Sequence, residues 1–511
     1  MSTTKETELS GASDAIDRAV GSVADPSDRS AIVAALRAVD PADIAEVLSA
    51  RSLVAGGEVV ARGLPASPGR AAGVVRTSLV DALEAWERGE QVVYVVASTS
   101  PVDEPAMRVA AAVVTSGGGL ASHAAVIARD LGIPAVCGAG VVALDDGTPV
   151  VVDGGLGEVR TAEASAVDGP AAQAEEQTAA VDELPASVAT LLGWADRVAE
   201  DHLDVWANAD RADAARRARR MGARGIGLCR IEHMFLGERT ALLAQALRGD
   251  GPARTAVGEV VSAELDELLA EMDGLPVVVR LLDAPSHEFG SVVESDPMLG
   301  VRGVRHAVCD EALARVQAAA IAGAVLARLD AGGDPRVSMI VPLVALPAEQ
   351  ELVGGWVREE IAGAGEAAGV ELVVPVGAMI ETPRAALAAD RVAAHADLFS
   401  FGTNDLTQLT YGWGRDDVEA EMLDEYRRRG LLDVSPFTTL DVGGVVRLMA
   451  LAIDTARAVK PDLEVGLCGE HAADPASIAI ALRLGVDHVS CSSYRVPGAR
   501  LAAAHAVLEA S

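Results

Sequence analysis

Four sets of residues have types and spacings that can do chemistry. In SGGGLASHAAVIARDLGIPAVCG (116–138), three glycines lead into Ser122 and His123 at the opening of an amphipathic run. A histidine in a first helical turn lies beside open backbone N–H groups and the positive end of the helix dipole, which favours an anion. The upstream glycines let a second body approach the ring. The pattern suits a histidine that takes up a phosphoryl group, and equally an N-cap serine with a surface histidine next to it. Glu381 in GAMIETPRAAL and Asp405 in FSFGTNDLTQ each follow an apolar run. Two such carboxylates, with waters and substrate oxygens, suit Mg²⁺, and the same residues also make ordinary helix caps.

Arg230 (GLCRIEHMF), Arg280 (VVVRLLD) and Arg302 (PMLGVRGVR) follow or close apolar strands or sit in a Gly-rich loop. A guanidinium leaving a core strand needs a planar anionic partner. That partner is either a phosphate or carboxylate ligand, or the nearby Glu232, Asp283 or Glu288. Cys468 in VGLCGEHAADP closes another apolar run, placed to act as an acid or nucleophile or simply to pack. His202, His306, His395, His488 and His505 show no ligand spacing and read as structural.

These residues require strand ends to hold them. Short β-like runs divided by Gly and Pro (AGVVRT, QVVYVVA, AAVVTS, PAVCGA, TPVVVDG) flank one helical stretch at 122–131 and define a compact α/β domain over 61–161. Eight apolar runs then alternate with amphipathic segments: 204–208, 225–229, 277–282, 337–342, 372–380, 398–402, 464–468 and 488–491. Eight βα repeats predict a parallel (β/α)₈ TIM-type barrel over 201–511, whose chemistry gathers where the strands end. Asn208, Arg230, Arg280, Glu381, Asn404, Asp405, Cys468 and Ser492 all fall there. Ahead of the α/β domain, 1–29 reads as a flexible polar tail and 30–60 as a helical segment broken at Asp40–Pro41. The Ala/Glu-rich stretch opening 162–200 reads as a hinge or linker.

Composition narrows the chemistry further. The chain has 511 residues and a formal net charge of −33, which disfavours partners with phosphodiester backbones or anionic lipid. Among the 42 basic residues only Lys5 and Lys460 are lysine, so neither a P-loop lysine nor a buried Schiff-base lysine is available. Five scattered cysteines without a CxxC pair argue against a disulfide framework or a structural zinc site. With no signal pattern at the N-terminus and no long apolar run, the expectation is a cytoplasmic multidomain protein.

The strings GLPASPGRAAG, TSPVDEPAM, GGGLASHAAVIAR, GARGIGLCRIEHMF, RLLDAPSHEF, DPMLGVRGVR, MIETPRAAL, FSFGTNDLTQLTYGWGRDD and VGLCGEHAADPASI run in order from about residue 30 to 503. In them the chain resembles the phosphoenolpyruvate-utilising phosphotransferases, in particular the pyruvate, phosphate dikinase branch. The resemblance implies a swivelling phosphohistidine domain followed by a phosphoenolpyruvate/pyruvate-binding barrel. It implies that His123 is phosphorylated, that Arg230, Arg280 and Arg302 clamp phosphate and carboxylate, and that Glu381 and Asp405 hold Mg²⁺. Asn404 and Arg415 would contact substrate, and Cys468 would protonate the enolpyruvate carbon. A homodimer through the barrel is implied as well. The nucleotide-binding domain that opens the dikinases has no counterpart in the pattern, so nucleotide chemistry is expected from a separate partner. Donation to a phosphocarrier protein, as by the first enzyme of the sugar phosphotransferase system, and a non-catalytic phosphoenolpyruvate sensor are the alternatives. Ala121 and Ile231 stand where the family usually has threonine, and Asp296 where it usually has asparagine.

Overall fold

The computed structural model describes the chain except residues 1, 51–56, 68, 100, 120–121, 132, 141–143, 163–183, 236–238, 285–295, 297, 416–417, 419–421 and 511. It comprises two compact units, Met1–Trp194 with Trp413–Ser435, and Ala195–Gly412 with Pro436–Ser511.

The first unit is built on an eight-stranded mixed sheet: β1 (Val59–Arg62), β2 (Leu64–Ser67), β3 (Arg70–Arg76), β4 (Val92–Val96), β5 (Ala110–Thr115), β6 (Ala135–Cys137), β7 (Pro149–Asp153) and β8 (Glu158–Thr161). Their order is β1-β8-β7-β3-β4-β5-β6-β2, with β3 to β6 parallel. The apolar run VVYVV is continuous because both faces of β4 are covered. Val92 and Tyr94 join a cluster with Met107, Ala124 and Ala128, whereas Val93 and Val95 join Val75, Val114 and Val152. The helix His123–Leu131 follows β5, one residue shorter than expected.

One expectation for this part of the chain needs correction, and another falls largely outside the described residues. Residues expected as a flexible tail form the helix Ser2–Gly21, with Ala12, Ile16 and Ala19 buried at helical spacing. Small alanines hide that stripe from a search for large apolar residues. Most of the Ala/Glu-rich hinge stretch lies outside the described residues, and its end is the helix Ala186–Ala199, with Val188, Leu191, Leu192 and Ala195 buried.

The second unit is a closed barrel of eight parallel strands: β9 (Asp204–Asn208), β10 (Ile226–Arg230), β11 (Pro276–Arg280), β12 (Arg336–Val341), β13 (Val376–Ile380), β14 (Leu398–Gly402), β15 (Glu464–Cys468) and β16 (His488–Ser492). Closure is made by β16 pairing with β9, Ser492 opposite Asn208. Trp206, Leu228, Val278, Ile340, Met379, Leu398 and Cys468 form one apolar cluster of its core. All eight expected runs are strands, but the run 372–380 forms one only from Val376, because Pro375 cannot donate to the ladder. The helix Glu311–Asp330 is long and apolar enough to cross a membrane. It packs against helices Gly251–Glu271 and Pro347–Ala368, and its Arg315 reaches Glu359 and Glu360 at 2.7 and 2.9 Å.

Candidate active site

The parallel order of the barrel puts neighbouring strand ends 22 to 284 residues apart in sequence at one mouth. Arg230 and Arg280 end adjacent strands in direct register, as do Gly402 and Cys468. The strand-end signal and the ion-pair alternative are both realised here. Arg280 pairs with Glu232 and lies 3.5 Å from Asp283, while Arg302 grips Asp283 in two-pronged fashion at 2.8 and 2.5 Å. Arg302 also reaches Asp405 at 3.4 Å. Arg230 is held by Asp210, which accepts its backbone N–H at 2.7 Å and its guanidinium at 3.1 Å. His233 Nδ1 lies 2.9 Å from the same carboxylate. The alternative partner Glu288 lies outside the described residues.

Glu381 is 1% exposed, its Oε1 accepting the Leu343 N–H at 2.6 Å. Leu343 holds a left-handed backbone, φ 58°, a strain retained where the surroundings fix it. A side chain on Gly402 would run into Glu381 Oε2, so this glycine makes room for the carboxylate. Helix capping is real at this position, but it falls to Thr382, whose hydroxyl accepts from Ala385 N at 3.1 Å. Burial, then Asp405 and Asp283, push the Glu381 carboxyl up to about 8. Burial likewise raises Asp405. Burial also acts to raise Asp283, but Arg302 and then Arg280 outweigh it and hold that carboxyl below its usual range. Five carboxyl groups (Asp210, Glu232, Asp283, Glu381, Asp405) thus sit among the guanidiniums of Arg230, Arg280 and Arg302, with Arg305 also acting on Asp283 and Asp405. The Arg280 Nε is buried with no hydrogen-bond partner among the described residues.

Cys468 is 3% exposed, its Sγ 3.5 Å from both Ser400 Oγ and Phe401 O. Burial pushes its thiol up to about 11, against the Ser400 contact, so sulfur keeps its proton at neutral pH. Asn404 Oδ1 accepts from Glu470 N at 3.1 Å, tying the loop after β15 to the helix Thr403–Tyr411. At the ends of β9 and β16, Ser490 Oγ donates to Asn208 Oδ1 at 2.5 Å, and Ser492 closes its strand.

His123 and Arg415 belong to the first unit. His123 opens its helix and is half-buried, with Nδ1 3.1 Å from Thr99 Oγ1. Ser122 donates to Gly119 O at 2.9 Å. Ala121 lies outside the described residues. Arg415 is half-buried within the segment Trp413–Ser435 and is not grouped with the barrel residues. Among the described residues, no cluster of three or more His, Cys, Asp or Glu side chains is arranged to hold a metal.

Sequence reasoning missed Thr99 and Asp210. Asp210 stands two residues beyond β9 and was open to the strand-end argument that found Asn208. Thr99 follows β4 in TSPVDEPAM, but no spacing rule links it to a histidine 24 positions later.

The profile of the PEP-binding domain of PEP-utilising (phosphoenolpyruvate-utilising) enzymes matches residues 187–508, and that of their mobile domain matches residues 89–157. The chain belongs to the phosphoenolpyruvate-utilising enzyme family. It is 37% identical to pyruvate, phosphate dikinase from Rhizobium meliloti over 93% of this chain and 56% of that protein. Pyruvate, phosphate dikinase 2 from Oryza sativa subsp. japonica is also 37% identical, over 89% of this chain and 55% of its own length. Pyruvate, phosphate dikinase 1 from Arabidopsis thaliana matches at 37% over 88% and 50%. The chain spans about half the length of the curated relatives it matches. Among solved structures, a citrate lyase from Burkholderia xenovorans is 14% identical at a TM-score of 0.30, covering 51% of this chain and 71% of that one, and adds nothing to the family assignment.

Proposed function

We propose that this chain transfers the phosphoryl group of phosphoenolpyruvate to His123, giving pyruvate and phosphohistidine, and runs the reverse reaction as well. The observation that carries the reading is the buried guanidinium of Arg280. Two of its nitrogens meet Glu232 and Asp283, and its buried Nε has no hydrogen-bond partner among the described residues. An anionic substrate would supply an oxygen to it.

The residues present fit Mg²⁺. Glu381 and Asp405 are both raised by burial and by neighbouring negative charge, and a divalent cation relieves that repulsion. Bound there, Mg²⁺ would neutralise charge on the substrate oxygens. Without a cation these two carboxyl groups oppose a substrate with several negative charges of its own. Arg230, Arg280 and Arg302 would bind the phosphate and carboxylate of the substrate, with Asn404 and Arg415 as further contacts. With Nδ1–H donated to Thr99 Oγ1, the lone pair on His123 Nε2 attacks phosphorus as the bond to the enol oxygen breaks. The enolate carbon then takes the Cys468 thiol proton, and the thiolate regains a proton from water before the next turnover.

Delivery of His123 by swivelling of residues 61–161 on the 162–200 hinge, and a homodimer through the barrel, belong to this reading. So does a second exchange on a nucleotide-binding or phosphocarrier protein. Neither lysine offers a nucleotide phosphate cradle here, since Lys5 lies in the N-terminal helix and Lys460 is spent on Ala396 O and Asp397.

The test is incubation with ³²P-phosphoenolpyruvate and Mg²⁺, comparing the protein with His123→Ala. Acid-labile label with an equivalent of pyruvate, both lost in the variant, is the expected result. Phosphoenolpyruvate binding without label in either protein would overturn the reading in favour of a sensor.

A further inference from the structure

The loop after β15 is fastened to the helix Thr403–Tyr411 by more than the Asn404–Glu470 bond. Thr403 is fully buried and donates its hydroxyl to the Cys468 carbonyl at 3.0 Å. The same hydroxyl lies 2.8 Å from His471 Nδ1, and His471 Nε2 lies 2.8 Å from the Pro436 carbonyl. A carbonyl only accepts, so Nε2 carries a hydrogen; with the Thr403 proton on the Cys468 carbonyl, Nδ1 must carry one too and donate it to Thr403 Oγ1, so the ring anchors both neighbours as a donor. Between Cys468 and this ring the chain turns at Gly469, φ 118°, where an added Cβ would lie 2.5 Å from Thr403 Oγ1. The threonine hydroxyl therefore occupies space that only a glycine leaves, and it fixes the peptide plane that carries the thiol. The hydroxyl gives the buried Cys468 carbonyl a donor from 65 residues away.

We infer that Thr403 is a positioning residue for the Cys468 thiol, with His471 as the anchor that holds the threonine rotamer. It would set the sulfur over the enolate carbon without touching substrate. The inference rests on the proposed proton transfer from Cys468. It predicts a defect confined to that step, because Thr403 makes none of the contacts assigned to phosphate binding or to His123.

The test uses the full chain with ³²P-phosphoenolpyruvate and Mg²⁺. It follows label on His123 and, in parallel, ketonised pyruvate through a lactate dehydrogenase couple. Thr403→Val removes the hydroxyl at constant shape, and Thr403→Ser keeps it. In Thr403→Val, labelling and its dependence on phosphoenolpyruvate concentration should stay within about twofold of the wild type, while pyruvate appears about tenfold more slowly. Thr403→Ser should restore the pyruvate rate, and His471→Gln should show the same selective lag more weakly. The inference is overturned if Thr403→Val makes pyruvate at the wild-type rate, or if label and pyruvate fall together in both Thr403 variants. Cys468→Ala separates the two levels: no pyruvate lag in that variant removes the proton-transfer role of the thiol itself, whatever Thr403→Val does.

Discussion

At the carboxyl-terminal mouth of the barrel, Arg280, Arg302, Asp283, Glu381 and Asp405 are buried together, two guanidiniums among three carboxyl groups, with that of Glu381 pushed up to about 8. At the opposite end of the strands, Trp206 and His488 stack with ring centroids 3.7 Å apart and planes 7° apart. Burial pushes the His488 imidazole down to about 3, so that end is held by a neutral ring pair. Glu464 lies 3.5 Å from His488 Nδ1, too far for a strong ion pair, and burial dominates. One end of the barrel buries its charged groups together; the other keeps ion pairs such as Arg457–Asp487 half-exposed beside a buried neutral ring stack. The same strands thus carry a buried cluster of charges at one end and a buried neutral ring pair at the other.

The most drastic way to break the contrast is to remove one charge from the buried cluster. Glu381→Gln should lower labelling of His123 by about 10³-fold, read by acid-labile counts, with the melting temperature unchanged or raised, since a strained carboxylate is neutralised. Arg280→Ala should abolish labelling and also cost about 3–5 kcal/mol of stability in urea unfolding, because Glu232 is left buried without its guanidinium partner while Asp283 keeps Arg302. Equal stability in Arg280→Ala would mean that the network is solvated.

The ring stack should respond in the opposite sense. His488→Ala should lose about 2–4 kcal/mol through the cavity and the broken stack, while the folded fraction keeps its labelling activity. A matching loss of labelling per folded molecule would show that the two ends are coupled.

A subtler effect follows from the depressed His488 imidazole. The folded state holds this ring neutral down to about pH 3, whereas the unfolded chain protonates it near 6.5. Its contribution is therefore complete above 6.5 and lost as pH falls toward 3. Between pH 7 and 5 this one group should cost about 2 kcal/mol, and His488→Phe should flatten that part of the stability curve. A variant with the same slope as wild type would assign the acid sensitivity to other groups.

The smallest effect concerns the thiols. Cys309 is exposed, whereas Cys468 is buried and held protonated up to about pH 11. Iodoacetamide at pH 8 should modify Cys309 in the native protein and spare Cys468, as read by peptide mass mapping. Modification of both at similar rates would mean that the barrel mouth opens readily.

The sequence by itself determined the strands and the residues at their ends. Eight short apolar runs alternating with amphipathic segments match the strand count of a closed parallel sheet, which buries them on both faces. Each polar residue one or two positions beyond a run then has to emerge at the same mouth. Local periodicity carries that much because strand identity and side-chain direction are set within a few residues. Sequence did not reveal the helix Ser2–Gly21, whose buried face is largely alanine, nor the late start of β13 behind Pro375. Only the tertiary structure decided who pairs with whom. Asp283 is shared by Arg280 and Arg302, Asp210 holds Arg230, Thr99 meets His123, and Thr403 braces Cys468 across 65 residues. Such contacts join distant segments at angles fixed by packing, and a side chain's reach of a few ångströms has no signature in spacing along the chain.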